Sequence, residues 1–228
     1  MPARRLTLAA VAAVVLTAAC SSPASPASDL DAAADRIGKQ PATFSLTANT
    51  MTITGTADPA TGYWEMTGDG YVVRRIGADL FVRMSGETLG RLPRAAGKWI
   101  RTPIPYGGDG ILAYQPDFPW TPARSLAGAT GLSRTGDRSF RGVLPWDPVP
   151  SPGGASEPAP RSPFTADLDG AGRLTRLVVT VRSNSPEALP LTLTYGDFGT
   201  PPAVVAPAAG DVIVEPAFKT ALLGSPFL

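Results

Sequence analysis

From Ala42 to Met84 the chain alternates apolar and polar positions. Phe44, Leu46, Met51 and Ile53 take every second place, with Thr43, Ser45, Thr47, Thr52 and Thr54 between them. A period of two puts the apolar set on one face of a strand and the hydroxyls on the other. Trp64 and Met66 continue that apolar face on a third strand, and Leu80, Val82 and Met84 on a fifth, after Tyr71–Ile76. The runs are broken at Asn49-Thr50, Asp58-Pro59, Gly68-Asp69-Gly70 and Gly77-Ala78-Asp79, breaks short enough to force antiparallel hairpins. The pattern predicts a meander with one oily face. Whether that face is covered by the protein's own side chains or by a guest molecule is not a matter periodicity decides.

The alternation continues further on. Gly97–Arg101 predicts a sixth strand, Phe140, Gly142 and Leu144 another, and Phe164–Leu168 a third after it. Leu174–Val181 is the most β-branched run, and Leu191, Leu193 and Tyr195 alternate with Thr192 and Thr194 before Asp197-Phe198-Gly199 ends the sheet. Val212-Ile213-Val214 is a last apolar segment. The sum is about ten or eleven strands in a mainly β (α+β) fold, a curved antiparallel half-barrel with a few short helices on its concave face. Those helices are expected at Asp29–Lys39, where Leu30, Ala33, Ala34 and Ile37 share a side, and within Thr121–Thr130. Pro103–Pro122 mixes prolines and glycines with Tyr106, Tyr114, Phe118 and Trp120, and predicts a segment folded over something apolar: a plug for the core or a lid over a pocket. Pro145–Pro163 is a proline-rich loop between neighbouring strands, so residues 29–228 form one domain.

The N-terminus alters this picture. Arg4 and Arg5 precede an uncharged stretch from Leu6 to Ala18, too short to span about 30 Å of hydrocarbon and suited to an export signal over residues 1–19. Leu16-Thr17-Ala18-Ala19-Cys20 resembles a bacterial lipobox, which makes Cys20, the single cysteine of the chain, the candidate lipidation site; the plainer alternative is a secretory signal cleaved nearby that leaves a free cysteine. Ser21–Ser28 is a polar, proline-punctuated tether. Loss of the signal removes two of the 20 basic residues and none of the 19 acidic ones, leaving a nearly neutral chain with no basic run. Nucleic acid is thereby disfavoured as a partner, and attachment to a membrane falls to the acyl chains.

The residues offer little chemistry. No histidine is present, which removes the commonest general base and metal ligand. Lys39, Lys98 and Lys219 are the only lysines, and none completes a Ser-x-x-Lys pattern. Asp167 and Asp169 are spaced as a carboxylate pair but lie on a strand running into an Asp-Gly turn, where a solvated face is the plainer reading. The glycines at 107–110 and 153–154 lack the Lys-Ser/Thr of a phosphate loop. The reading is a non-enzyme without cofactor or metal.

Leu80-Phe-Val-Arg, Gly97-Lys-Trp-Ile-Arg, Phe164-x-x-x-Leu-Asp169-x-x-Gly-Arg-Leu174, Leu193-Thr-Tyr-Gly-Asp-Phe-Gly199 and Pro202-Ala-Val-Val-Ala-Pro207, set behind a lipobox, a helix and a meander, resemble the actinobacterial LppX/LprG-type lipoproteins, whose fold is related to the LolA/LolB carriers. The resemblance implies a half-barrel around a cavity for acyl chains. It implies an exported protein, anchored at the outer face of the cell membrane or envelope, that carries or chaperones a lipid or lipoglycan, with an envelope export protein as a possible partner. Phe44, Leu46, Met51, Ile53, Trp64, Met66, Leu80, Val82 and Met84 are then the cavity-lining candidates, though for each the plainer reading is ordinary core. The alternative is a non-catalytic interaction or sensing lipoprotein with a filled core.

Overall fold

The computed structural model describes residues 25–49, 51–86, 90, 92–103, 119–145, 161–181, 189–200 and 203–214. The expected signal, Cys20, the central part of the aromatic segment (104–118) and the middle of the proline-rich loop (146–160) lie outside the described residues.

The predicted alternating runs are strands, and with β7 and β12, which alternation did not mark, the described residues hold twelve rather than ten or eleven: β1 (Ala42–Ala48), β2 (Met51–Asp58), β3 (Tyr63–Gly68), β4 (Tyr71–Ile76), β5 (Asp79–Met84), β6 (Trp99–Pro103), β7 (Thr130–Arg134), β8 (Ser139–Pro145), β9 (Arg161–Leu168), β10 (Leu174–Val181), β11 (Leu189–Gly196) and β12 (Val212–Ile213). They form one open sheet in the order β12-β6-β5-β4-β3-β2-β1-β11-β10-β9-β8-β7. All pairings are antiparallel except β12 with β6. Two meanders, β1–β6 and β7–β11, are joined where β1 lies against β11, with Leu46 opposite Leu193.

Because paired residues share a face, the register writes out the oily side directly. One row runs Tyr195–Phe44–Gly55–Met66–Val73–Val82–Ile100. Another runs Ile53–Leu46–Leu193–Leu177–Ala166–Phe140. Ile100 near one edge and Phe140 and Leu144 near the other belong to a single buried cluster, so the sheet curls its apolar face inward. This is the expected mainly β architecture.

Helix α1 spans Pro26–Arg36, three residues earlier at its start than the alanine run suggests. Ser25 caps it by accepting from the Ser28 amide, and Pro26 sits where its missing N–H costs nothing. Asp29 in the first turn and Arg36 in the last complement the helix dipole. Leu30, Ala33 and Ala34 are its buried side, the alanines allowing close approach. Helix α2 (Thr121–Arg124) runs on into a 3₁₀ turn, Ser125–Gly128, that buries Leu126. This helical layer packs at the β7–β8 end: α1 on β7, the 3₁₀ turn on β8. Arg134 on β7 holds Asp29 of α1 at 2.6 Å, and Arg36 donates to the Gly172 carbonyl at 3.0 Å.

Three expectations change. Asp197–Gly199 does not end the sheet: the C-terminal segment returns along the outer face, where Arg74 donates to Val205 O and Lys98 to Gly210 O, and adds β12 to the edge of β6. The helix over Asp29–Lys39 shifts to Pro26–Arg36 because Ser25 supplies a cap further back. The loop over Pro145–Pro163 is shorter at both ends, since Val143 pairs with Pro163 and Pro145 with Arg161.

Candidate functional site

Eight of the nine candidate residues (Phe44, Leu46, Ile53, Trp64, Met66, Leu80, Val82 and Met84) are at most 5% exposed and share the inward face. Met51, opposite Ala48 at the end of the β1–β2 ladder, is partly buried and packs against the same cluster. The register thus brings all nine onto one surface, though the same burial suits a filled core. Polar side chains on that surface are few. Tyr195 is fully buried and donates from its hydroxyl to Pro119 O at 2.9 Å, with Trp120 stacked on its ring at 6.0 Å. Burial pushes its phenol far up, so it stays a donor. Tyr71 lies opposite Met84, and Arg75 between Trp64 and Leu80. Thr102 and Ser162 are buried toward the two edges.

The carboxylates weighed from the sequence are tied into structure. Asp167 accepts from Ser139 Oγ at 2.7 Å. Burial pushes the Asp169 carboxyl up, but the Arg173 amide and guanidinium and the Ala171 amide outweigh it and hold it below the usual carboxylate range. Among the described residues no group of three or more His, Cys, Asp or Glu is placed to hold a metal, and no helix is long and apolar enough to cross a membrane.

Two shallow grooves lie on the outer face. One, about 500 Å³, is bordered by Thr43, Ser45, Thr54, Thr56, Glu65, Thr67 and Thr194, and opens where Gly196 carries no side chain opposite Thr43. Of the nine candidates only Phe44 borders it. The other, about 350 Å³, lies between Arg141, Val143, Thr165, Val178 and Thr180. The intervening hydroxyls of the alternating runs were the signal for the first groove; read alone, they marked only a wetted face.

No family model matches the chain, and no curated protein matches it in sequence. Among solved structures the chain is similar to the Mycobacterium tuberculosis lipoprotein LppX, with TM-score 0.48 and 13% identity over 79% of this chain and 98% of that one. It is also similar to an uncharacterized conserved protein from Thermus thermophilus, with TM-score 0.43 and 11% identity over 82% of this chain and 98% of the other.

Proposed function

We propose that the protein is an envelope-anchored lipoprotein that takes up the acyl chains of a lipid or glycolipid on the inward face of its sheet. The observation that carries this reading is the continuity of that face. The Tyr195–Ile100 row alone crosses seven strands with no charged residue. Acyl chains leave water for such a surface with a gain of about 25 cal/mol per Å² buried. No catalytic group is needed, and Met51, Met66 and Met84 can reshape around different chains. Acylated Cys20 would hold the domain at the membrane.

The test is native mass spectrometry of the protein purified from membranes, followed by delipidation and titration with a fluorescent fatty-acyl probe. Lipid adducts and saturable uptake are expected. Protein that carries no lipid and takes up no probe would overturn the reading. Cys20→Ser should move the protein from the membrane to the soluble fraction without altering uptake.

A second reading, an interaction or sensing module with a filled core, is favoured by one observation: eight candidates at or below 5% exposure need no guest to cover them. It predicts a protein that melts identically with and without added lipid.

A further inference from the structure

The inward face contains two tyrosines whose hydroxyls are treated differently. Tyr195 spends its proton on the Pro119 carbonyl. Tyr71, the first residue of β4, sits on the same face, opposite Gly68 on β3 and Met84 on β5. Its ring lies across Gly68: a Cβ there would fall 2.4 Å from Cζ and 2.5 Å from the hydroxyl oxygen. The ring is therefore accommodated by the missing side chain, and it packs against the apolar cluster. Its hydroxyl is buried, and among the described residues it has no hydrogen-bond partner. Burial raises its pKa, so the group remains protonated and able to donate at neutral pH.

A buried hydroxyl without a partner is costly, and phenylalanine would pack the same ring without that cost. We propose that Tyr71 donates its hydrogen bond to the neutral carbonyl oxygen of an ester-linked acyl chain bound on this face, and so selects acyl esters over plain hydrocarbon. This rests on the carrier reading. The surroundings favour an uncharged acceptor: Met84 and Gly68 flank the ring, Val73 follows on the strand, and the first charged side chain along β4 on this face is Arg75. At about 3.4 Å per residue, Arg75 stands roughly 14 Å along the strand from Tyr71, too far to neutralise a carboxylate held there.

The experiment compares the mature wild-type protein with Tyr71→Phe, using three probes that share one pyrene reporter and one chain length: a methyl ester, the free acid and an oxygen-free alkane. Tyr71→Phe should weaken the ester by about 5–30-fold, the worth of one buried hydrogen bond, and change the alkane by less than about 2-fold. The lipid-free variant should melt at the wild-type temperature or above it, because an unpartnered polar atom has gone. Equal affinities for the ester in the two proteins, or equal weakening of ester and alkane, would overturn the role of Tyr71 while leaving the carrier reading standing. A loss confined to the free acid would overturn the choice of a neutral carbonyl. Wild-type protein that takes up none of the three would remove the carrier reading and this inference together.

Discussion

The substitution Ile53→Trp separates a face that receives a guest from one filled by the chain. Ile53 is 1% exposed, stands opposite Leu46 on β1, and belongs to the row that continues through Leu193 and Leu177. Its neighbour Gly55 offers no spare room, because the Phe44 ring already occupies the space where a Gly55 Cβ would sit, with Cζ at 2.4 Å. If the face is packed by the protein's own side chains, an indole must displace Leu46 or Phe44. Overpacking of this kind costs about 1–3 kcal/mol, sometimes more. For a domain of this length each kcal/mol lowers the melting temperature by about 2–4 °C, so a drop of about 2–12 °C is expected on that reading. If the face stands open to acyl chains, the indole takes their place instead. The variant should then melt within about 2 °C of wild type, while uptake of a fluorescent acyl probe falls more than about 10-fold. Circular dichroism melts and probe titration on the same delipidated samples decide it. A folded Ile53→Trp protein that binds the probe as wild type does would refute the placement of Ile53 on the binding face. Ile53→Ala is the control, at about 2–5 kcal/mol in a packed interior.

Tyr195→Phe should cost about 1–3 kcal/mol in urea unfolding, because it strands the Pro119 carbonyl while keeping the Trp120 stack; an unchanged midpoint would show that this bond contributes nothing. Asp169 is held below the ordinary carboxylate pKa, so its contribution is present above about pH 4 and is lost as acid protonates the folded state below that. Asp169→Asn should therefore be less stable at neutral pH and show a shallower fall below about pH 4, and parallel pH–stability curves would contradict this. In refolding followed by pulsed hydrogen exchange, amides of β3–β5 should gain protection before those at the β1–β11 ladder; simultaneous protection would sink that order.

The strands could be read because Phe44, Leu46 and Ile53, or Leu191, Leu193 and Tyr195, alternate with hydroxyls over enough residues for the period to declare itself. Val212-Ile213 gave no such signal: two residues have no period, and their pairing with Trp99 and Ile100 is set by where the returning segment lies. Helix α1 was placed late because Ser25 and Pro26 sit within a Ser-Pro-Ala run whose composition reads as tether, while the cap is a matter of one hydroxyl's geometry. The nine candidate residues were brought onto one face because alternation fixes faces. How far that face stands from what covers it depends on contacts remote in sequence, and alternation carries no trace of those. Tyr71 escaped for a related reason: its neighbours Val72 and Val73 mark a strand, but the idle hydroxyl appears only once the ring is laid over Gly68.

The ladder between β1 and β11 has a consequence for how the molecule is made. Every other antiparallel pairing joins strands consecutive in the chain, while this one brings Leu46 beside Leu193. A chain emerging from its N-terminus can zip β1 to β6 by short hairpins, yet the free side of β1 must wait for almost the whole polypeptide before its mate arrives. The exposed border during synthesis is thus in the middle of the finished sheet, where a stranger's strand could dock and be locked in. Until that central ladder forms, the newborn protein is most vulnerable where the mature one is best protected.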